Sequence, residues 1–542
     1  MAVGALQDLS RSYFDLRWHL DPVAASQAGV TAYDERLGRF DSAALAPHLA
    51  ALKSITAALE AADVDGLDEE IDRTALLNDA RVMVRRLERE RPQAKNPEFW
   101  LSHLLNGLHI LLTRRDRSSA DRTRAILARL EDVPALLDDA RASLTEPVRV
   151  FCETGLRMNE GGLALLKAIG DAVTGDTPEQ RQRLGAAIER AAAALAAFEH
   201  DLERWSESGS DQFALGEDDF NFRLHYEHAL TDTAPELWRY GHRLKAEVEA
   251  DLAARARRLD GGRSWQDLVS KLRDDHAGAE DLVDQYAREM ARAREFVATR
   301  ALAPIPDAPL EVIPTPPFLR PLIPFAAYES PGAFSPDRTG SFYVTAPDAG
   351  LPLERQRKVL RDHCRWELAA TALHEGYPGH HLQILHAQAQ PSEVRRLVST
   401  PLTVEGWALY CEEMMAEQGF YATEEERFFQ RVHLLWRTVR ILLDVGLHTR
   451  GMGFEQSVDQ LVQDLAVERG NAEAEVRRYC AWPAYQLCYA VGRRELLQLR
   501  EDYRAAKGAA FSLRGFHEAV LSFGGLPVSL MRWGLGLDGR DA

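Results

Sequence analysis

The eight residues from His374 to His381 constrain this chain more than any other segment, because a proline and two glycines interrupt a run of histidines. The segment reads His-Glu-Gly-Tyr-Pro-Gly-His-His. In the usual zinc-hydrolase pattern, two histidines four positions apart share one helix face, and the glutamate after the first is the general base. Here Pro378 occupies the position of the second histidine, and proline cannot bind a metal ion.

An unbroken helix could not bring these histidines to one ion. From His374 to His380 a regular helix turns through about 600°, which leaves the two rings roughly 120° apart. His381 returns to nearly the same face, but it lies roughly 10 Å along the axis. That separation is too large for two zinc–nitrogen bonds of about 2.0–2.1 Å. If the segment binds a metal, the helix must break within it.

The sequence itself supplies a break. Pro378 lacks the N–H that would bond to the carbonyl of His374, and its ring biases Tyr377 away from helical angles. Gly376 and Gly379 permit unusual backbone angles. A bulge of two extra residues could therefore bring the histidines on either side of the proline together.

We predict that His374 and His380 bind a metal ion and that Glu375 is the general base. The sequence does not decide whether His381 takes the place of His380. The alternative to a metal site is a helix C-terminus whose histidines interact favourably with the helix dipole.

A third ligand is predicted soon after the motif. Residues 402–415 have a helical pattern that follows Pro401, with Glu405 one turn in and 31 positions after His374. A catalytic zinc commonly has three protein ligands, and a returning antiparallel helix could present Glu405 to the same ion. Glu412 lies two turns later on the same face, where it could orient a ligand histidine from its far side. The alternative is that both glutamates are solvated helix charges.

The pattern His-Glu-x-x-Pro-Gly-His-His, followed by Glu-Gly-Trp-Ala-x-Tyr, resembles the bacterial family called domain of unknown function 885, which is related to the glutamate-zincin metallopeptidases. The resemblance covers most of the chain, and its other marks are Tyr13-Phe14, Pro22, Gly29, Gly340–Val344, Asp444, His448, Pro483, Gln486, Tyr489 and Gly492. It implies a mainly α protein, a large helical metallopeptidase-like fold with a deep central cleft. It also implies a zinc ion held by His374, His380 and Glu405.

Zinc hydrolases commonly need a donor that stabilises the oxyanion formed when a carbonyl is attacked. The resemblance favours Tyr489 for this role and His448 as second choice, with Gln486 as a further residue near the substrate. In the predicted helix 424–448, Arg440, Asp444 and His448 recur at i, i+4 and i+8. Such a polar stripe is costly to bury unless it is paired, so it faces the cleft or forms a buried network.

Composition predicts three segments within one integrated domain. Residues 1–300 are rich in helix-forming Ala, Leu, Arg and Glu and predict a helical bundle, and residues 353–542 form a second helical half with the metal site. Residues 301–352 contain about half of the 25 prolines. Within them, 313–318 and 321–325 predict extended chain, and 340–345 predicts a strand. We expect this strand to pair through a free edge with a peptide, so that Tyr343 lines the groove; the alternative is a purely structural hairpin.

Charge and targeting signals restrict the partners. With 83 acidic and 65 basic residues, the formal charge is -18, which disfavours nucleic acid and anionic membrane surfaces. A peptide or small amide substrate fits better. The N-terminus shows no basic region followed by an apolar run. No stretch of the sequence is long and apolar enough to span a bilayer, and the five cysteines show no paired spacing. These features predict a cytoplasmic protein with reduced thiols.

Together, the residues predict a zinc-dependent hydrolase, most specifically a metallopeptidase. One alternative is a zinc enzyme that acts on a small amide, or performs an elimination, in a specialised pathway. Another is a non-catalytic binding protein that keeps the cleft and uses the metal only for structure. The sequence does not distinguish exopeptidase from endopeptidase, and it leaves the oligomeric state undetermined.

Overall fold

The computed structural model of this protein describes residues 5–175, 177–316, 320, 323 and 325–538. Helix accounts for 71% of the structure and strand for 4%, which confirms the predicted mainly α class. The chain divides into two compact units. The N-terminal unit comprises Met1–Phe213, Pro317–Leu322 and Pro331–Arg338, and the C-terminal unit comprises Ala214–Pro316, Ile323–Ser330 and Thr339–Ala542.

The N-terminal unit is a helical bundle. Its helices are α1 Ala5–Leu20, α2 Pro22–Ala28, α3 Ser42–Ala61, α4 Gly66–Arg85, α5 Pro92–Lys95, α6 Pro97–Thr113, α7 Ser119–Ser143, α8 Arg149–Ala172 and α9 Pro178–Ser208, with a 3₁₀ turn at Thr31–Tyr33 and a π turn at Arg86–Glu90. Helices α6 to α9 pack against one another. Apolar residues recur at helical spacing along these helices. In α7 they form one buried stripe that includes Leu130, Val133 and Leu137.

The C-terminal unit contains fifteen described helices. They are α10 Glu217–Tyr226, α11 Ala234–Leu259, α12 Trp265–Leu272, α13 Leu282–Thr299, α14 Leu353–Arg361, α15 Arg365–Glu375, α16 His380–Gln388, α17 Glu393–Leu397, α18 Pro401–Glu417, α19 Glu424–Thr449, α20 Phe454–Leu465, α21 Arg469–Ala481, α22 Cys488–Lys507, α23 Leu513–Leu521 and α24 Val528–Gly534, with a 3₁₀ turn at Gly508–Ala510. Helix α18 begins with the Thr400 hydroxyl accepting from the Leu402 N–H, and Pro401 occupies its first position.

The predicted boundary near residue 300 and the observed division differ. Helices α10 to α13 belong with the C-terminal unit, where α11 packs along α19 and α13 packs against α15. Helix-forming residues predominate on both sides of residue 214, so no local feature of the sequence marks the division. Packing partners far along the chain decide it.

A small sheet precedes the helices that carry the motif. Its strands are β1 Leu310–Pro314, β2 Ala326–Glu329 and β3 Gly340–Val344, in the order β1-β3-β2. Because β3 pairs in parallel with β1 and antiparallel with β2, both of its edges are occupied. The predicted strand is confirmed, but its predicted free edge for peptide pairing is wrong. Parts of the segments predicted as extended, at 317–318, 321–322 and 324, lie outside the described residues.

Helices α18 and α22 approach each other closely at a pair of glycines. A Cβ atom added to Gly492 would lie 2.0 Å from the carbonyl oxygen of Leu402, and one added to Gly406 would lie 2.6 Å from the Gly492 backbone. Gly406 follows Glu405 directly, so this contact fixes the depth at which α18 lies in the unit. Side chains at either position would force the two helices apart.

We therefore expect Gly492→Ala to destabilise the protein by about 2 kcal/mol or more, because overpacking of a close helix contact costs about 1–3 kcal/mol. Urea unfolding followed by circular dichroism measures the change. Gly470→Ala is the matched control in the same unit, since a Cβ atom there meets nothing within 4 Å. Equal stability of the two variants would contradict the close helix contact.

Candidate metal centre

The backbone breaks between α15 and α16, as predicted. Helix α15 ends at Glu375, and α16 begins at His380. Between them Gly376 and Gly379 have ψ angles of -95° and -132°, which are far from helical values, and the Tyr377–Pro378 peptide bond is cis. A Cβ atom on Gly379 would lie 1.9 Å from the carbonyl oxygen of His374, so this close turn admits only glycine.

Helix α18 holds the break in place. The indole Nε1 of Trp407 donates a hydrogen bond of 2.8 Å to the carbonyl oxygen of Pro378. Trp407 is 1% exposed, so this bond is shielded from water. The turn brings the rings of His374 and His380 to a centroid distance of 4.8 Å, with their planes at 87°.

Three ligand-type atoms converge beside the break. The Oε2 atom of Glu405 lies 3.4 Å from Nε2 of His380 and 3.8 Å from Nε2 of His374. Atoms bound tetrahedrally to one zinc at about 2.0–2.1 Å lie about 3.3–3.4 Å from one another. The Glu405–His380 separation matches this value and the Glu405–His374 separation exceeds it by about 0.4 Å, so Glu405 is close enough to share a divalent cation with these histidines.

A second carboxylate also lies near the two histidines. Atoms of His374, Glu375 and His380 lie within 4.8 Å of one another, so Glu375 is an alternative ligand on distance alone. We favour Glu405 as the ligand, because its Oε1 is fixed by a 2.6 Å hydrogen bond from the Tyr485 hydroxyl. Glu405 is 9% exposed, whereas Glu375 is half-buried and keeps access to a water molecule.

Further hydrogen bonds orient the predicted ligands. The Nδ1 atom of His374 lies 2.8 Å from Oε1 of Glu412, so its Nε2 is turned toward Glu405. Glu412 was predicted to orient a ligand histidine in this way, and its carboxylate is completely buried. Sequence reasoning did not assign Tyr485 this function. No local pattern marks it, because Tyr485 lies in the turn before α22, 80 positions from Glu405.

The electrostatics of the cluster favour a positive charge among the carboxylates. Burial lowers the pKa of His374, but hydrogen bonds to Glu405 and Glu412 outweigh burial and raise the pKa to about 9. Burial likewise raises the pKa of Glu405, while the two histidines hold it well below its usual range. Glu405 therefore stays ionised at neutral pH, as a carboxylate ligand must.

His381 has a different environment from His380. Its Nδ1 lies 3.0 Å from the Tyr328 hydroxyl, and its ring packs edge-on against Tyr328 and Tyr377. Burial lowers the pKa of His381 to about 4. Of the two neighbouring histidines, it is His380 whose Nε2 faces Glu405.

Tyr489 lies near the cluster with its hydroxyl unbonded to any described residue. Burial raises the pKa of Tyr489 to about 12, and the charge of Glu405 acts in the same direction. The phenol therefore remains a hydrogen-bond donor at neutral pH. The ring of Tyr485 lies 6.1 Å from that of Tyr489. Tyr343, in contrast, is 5% exposed in the central strand of the sheet.

The predicted polar stripe on α19 separates into different contacts. Asp444 accepts hydrogen bonds of 3.0 and 3.1 Å from the N–H groups of Ala484 and Leu487, which fixes the turn before α22. His448 is engaged by two backbone groups, at 3.3 Å by the Leu215 N–H and at 3.0 Å by the Tyr479 carbonyl. Because both of its ring nitrogens are engaged in this way, His448 is not proposed as the oxyanion donor.

Arg440 forms a network under Tyr489. Its guanidinium donates 2.9 Å and 3.1 Å hydrogen bonds to the Tyr479 hydroxyl and to Glu475, and it lies 4.9 Å from the Tyr489 ring centroid. This cation–π contact supports the ring from one side. Gln486 is completely buried, and its side-chain amide has no hydrogen-bond partner among the described residues.

Known proteins resemble the chain over almost its whole length. Residues 22–534 match the family described as "Bacterial protein of unknown function (DUF885)". A solved structure from Shewanella oneidensis, described as "a putative lipoprotein of unknown function", shares 24% identity over 98% of this chain and 99% of its own, with a TM-score of 0.80. The "putative lipoprotein from Colwellia psychrerythraea" shares 18% identity over 99% of this chain and 100% of its own, with a TM-score of 0.85. No curated protein matches the chain.

These relatives contradict the predicted cytoplasmic localisation, because both are described as lipoproteins. All five cysteines are buried free thiols, so they did not distinguish one cellular compartment from another. Burial raises the pKa of a thiol, to about 12 for Cys152. Across the part of the chain that the structure describes, no helix has the length and apolar character needed to cross a membrane.

The network under Tyr489 predicts a pH-dependent stability. Burial raises the pKa of Glu475, but the charges of Arg478 and Arg440 outweigh it and lower the pKa to about 2. Because the folded-state pKa lies below the unfolded value, the stabilisation is complete above about pH 5 and is lost as the pH falls toward 2. Glu475→Gln should cost about 2 kcal/mol at pH 7, with the difference from wild type shrinking below pH 5. Urea unfolding at several pH values measures it.

Glu473→Gln on the same helix is the control, since Glu473 is 32% exposed and contacts arginines at 3.5 Å or more. It should change stability by about 0.5 kcal/mol or less. A difference between wild type and Glu475→Gln that stays constant from pH 7 to pH 3 would contradict the ionic role of Glu475.

Proposed function

The chain belongs to the bacterial protein family of unknown function DUF885, and we propose that it is a zinc-dependent hydrolase, most specifically a metallopeptidase related to the glutamate zincins. In this proposal the metal ligands are His374, His380 and Glu405. Glu375 is the general base, and Tyr489 stabilises the oxyanion. The substrate is a peptide or a small amide, and the formal charge of -18 disfavours nucleic acid as a partner.

The convergence of Glu405 Oε2 on the Nε2 atoms of both histidines is the observation that carries this proposal. A helix terminus with merely solvated histidines would not require a buried carboxylate on the far side of His374, as Glu412 provides. A histidine that binds zinc usually donates a hydrogen bond to a carboxylate from one ring nitrogen and directs the other nitrogen to the metal.

The chemistry then follows from the positions of the remaining groups. When bound, zinc supplies the positive charge that acidifies a water molecule and polarises a carbonyl group. Glu375 is half-buried beside the two histidines, so it can accept the proton of the attacking water and donate it to the leaving amine. Tyr489, protonated at neutral pH, donates a hydrogen bond to the carbonyl oxygen as negative charge develops.

Glu375→Gln tests the general base. We expect wild type and variant to contain one zinc per chain by metal analysis, because Glu375 is not a ligand in this proposal. Hydrolysis of a synthetic peptide library, followed by mass spectrometry, should fall at least about 100-fold in the variant, since general-base catalysis contributes about 10²–10⁴-fold.

Glu354→Gln is the control, because Glu354 is an exposed carboxylate on α14. Full activity of Glu375→Gln would exclude Glu375 as the base. Wild-type protein that holds zinc but cleaves neither the peptides nor a panel of small amides would contradict the hydrolase and favour a binding protein.

Glu412→Gln tests the orientation of His374. The variant keeps a hydrogen-bonding group of the same shape but loses the charge that fixes the ring, so zinc affinity should fall about 10- to 100-fold. Competition with a chelator of known affinity measures the change. Glu417→Gln is the matched control on the same helix, where Glu417 is 39% exposed and pairs with Arg500. Equal affinity in both variants would exclude Glu412 from the site.

A further inference from the structure

Arg437 is a charged side chain next to the proposed catalytic groups that forms no hydrogen bond or close ion pair with any described residue, although its charge acts on the buried carboxylate of Glu412. It lies on α19, one turn after His433, whose Nδ1 is 3.9 Å from Oε2 of Glu412. The Arg437 guanidinium lies 5.8 Å from the ring centroid of Tyr489, and its Nε is buried without a hydrogen-bond partner. A half-buried guanidinium with an unmet donor is costly unless something else satisfies it.

The neighbouring guanidinium groups differ from Arg437 because they share a carboxylate. Arg440 and Arg478 donate hydrogen bonds of 3.1 Å and 2.7 Å to the same atom of Glu475. Three arginines therefore act on Tyr489, and a single carboxylate pairs with two of them. Of these three arginines, Arg437 is the one without a close carboxylate among the described residues, so an anionic ligand could pair with it.

Carboxylates of the site also act on these groups. Glu405 has the largest charge effect on the Tyr489 phenol, and the charge of Arg437 acts on Glu412. An anionic substrate would be repelled by these carboxylates unless a cation received its charge. Arg437 lies beside the Tyr489 ring, so it can receive a carboxylate of a substrate whose carbonyl oxygen is bound by Tyr489.

We propose that Arg437 binds a carboxylate of the substrate, and that the enzyme therefore acts on peptides with a negative charge close to the cleaved bond. The inference rests on the proposed hydrolase and adds a substrate class to it. A planar guanidinium offers two parallel N–H groups to a carboxylate, which a lysine cannot do. The carboxylate belongs either to a free C-terminus or to an aspartate or glutamate side chain.

The test compares peptides synthesised in pairs, with a free C-terminal carboxylate or a carboxamide, and a second carboxamide set ending in Asp, Glu, Asn or Gln. Binding is measured to zinc-loaded Glu375→Gln protein by fluorescence anisotropy, and cleavage is measured with the wild type. We expect a preference of about 10- to 100-fold for the charged member of a pair. Preference in the first set identifies a C-terminus, and preference only in the second identifies an acidic side chain.

Arg437→Met in the Glu375→Gln background should reduce that preference to about 1 while leaving the binding of the uncharged peptides unchanged, and Arg437→Lys should retain part of it. Arg243→Met, which removes an exposed arginine of α11, is the charge-matched control and should retain all of it. Two results would overturn the inference. One is that the Glu375→Gln protein shows no preference for charged peptides. The other is that Arg437→Met weakens the binding of charged and uncharged peptides equally. Because binding does not require turnover, this result is independent of whether any peptide is cleaved.

Discussion

The break between α15 and α16 is the constraint on which the whole site depends. Without it, His374 and His380 would point in different directions from one helix, and no ion could join them. Pro378 removes a helical hydrogen bond, Gly379 allows the chain to pass against the His374 carbonyl, and Trp407 donates a hydrogen bond to the carbonyl of Pro378. The same helix that secures the break also carries Glu405, so one packing arrangement places all three proposed ligands.

Much of this site could be predicted from local sequence, because its determinants are local. The Pro-Gly break, the helix after Pro401 and the helix 424–448 are all present, and each follows from backbone chemistry or from apolar spacing. The central position of β3 could not be predicted, since it depends on pairing with β1, thirty residues earlier. The bond from Tyr485 to Glu405 also joins residues 80 positions apart, and no spacing rule connects them.

Charge is distributed unevenly around Tyr489. Glu405 acts on the phenol as a negative charge, while the guanidinium groups of Arg437 and Arg440, both on α19, lie 5.8 Å and 4.9 Å from the centroid of its ring. A low-dielectric surrounding strengthens both interactions. The phenol remains neutral first because it is buried and second because its ionisation would place a negative charge beside Glu405. This neutrality gives the site a hydrogen-bond donor that does not depend on pH in the physiological range.

Glu405 and Glu412 are seven residues apart on α18, so two turns of one helix separate a proposed ligand from the carboxylate that orients its neighbour. The glycine contact with α22 limits the depth of that helix, and hydrogen bonds from Thr400 to Gly525 and from Thr403 to Leu526 hold its first turn. Any displacement of α18 would therefore move the proposed ligand and the orienting carboxylate together.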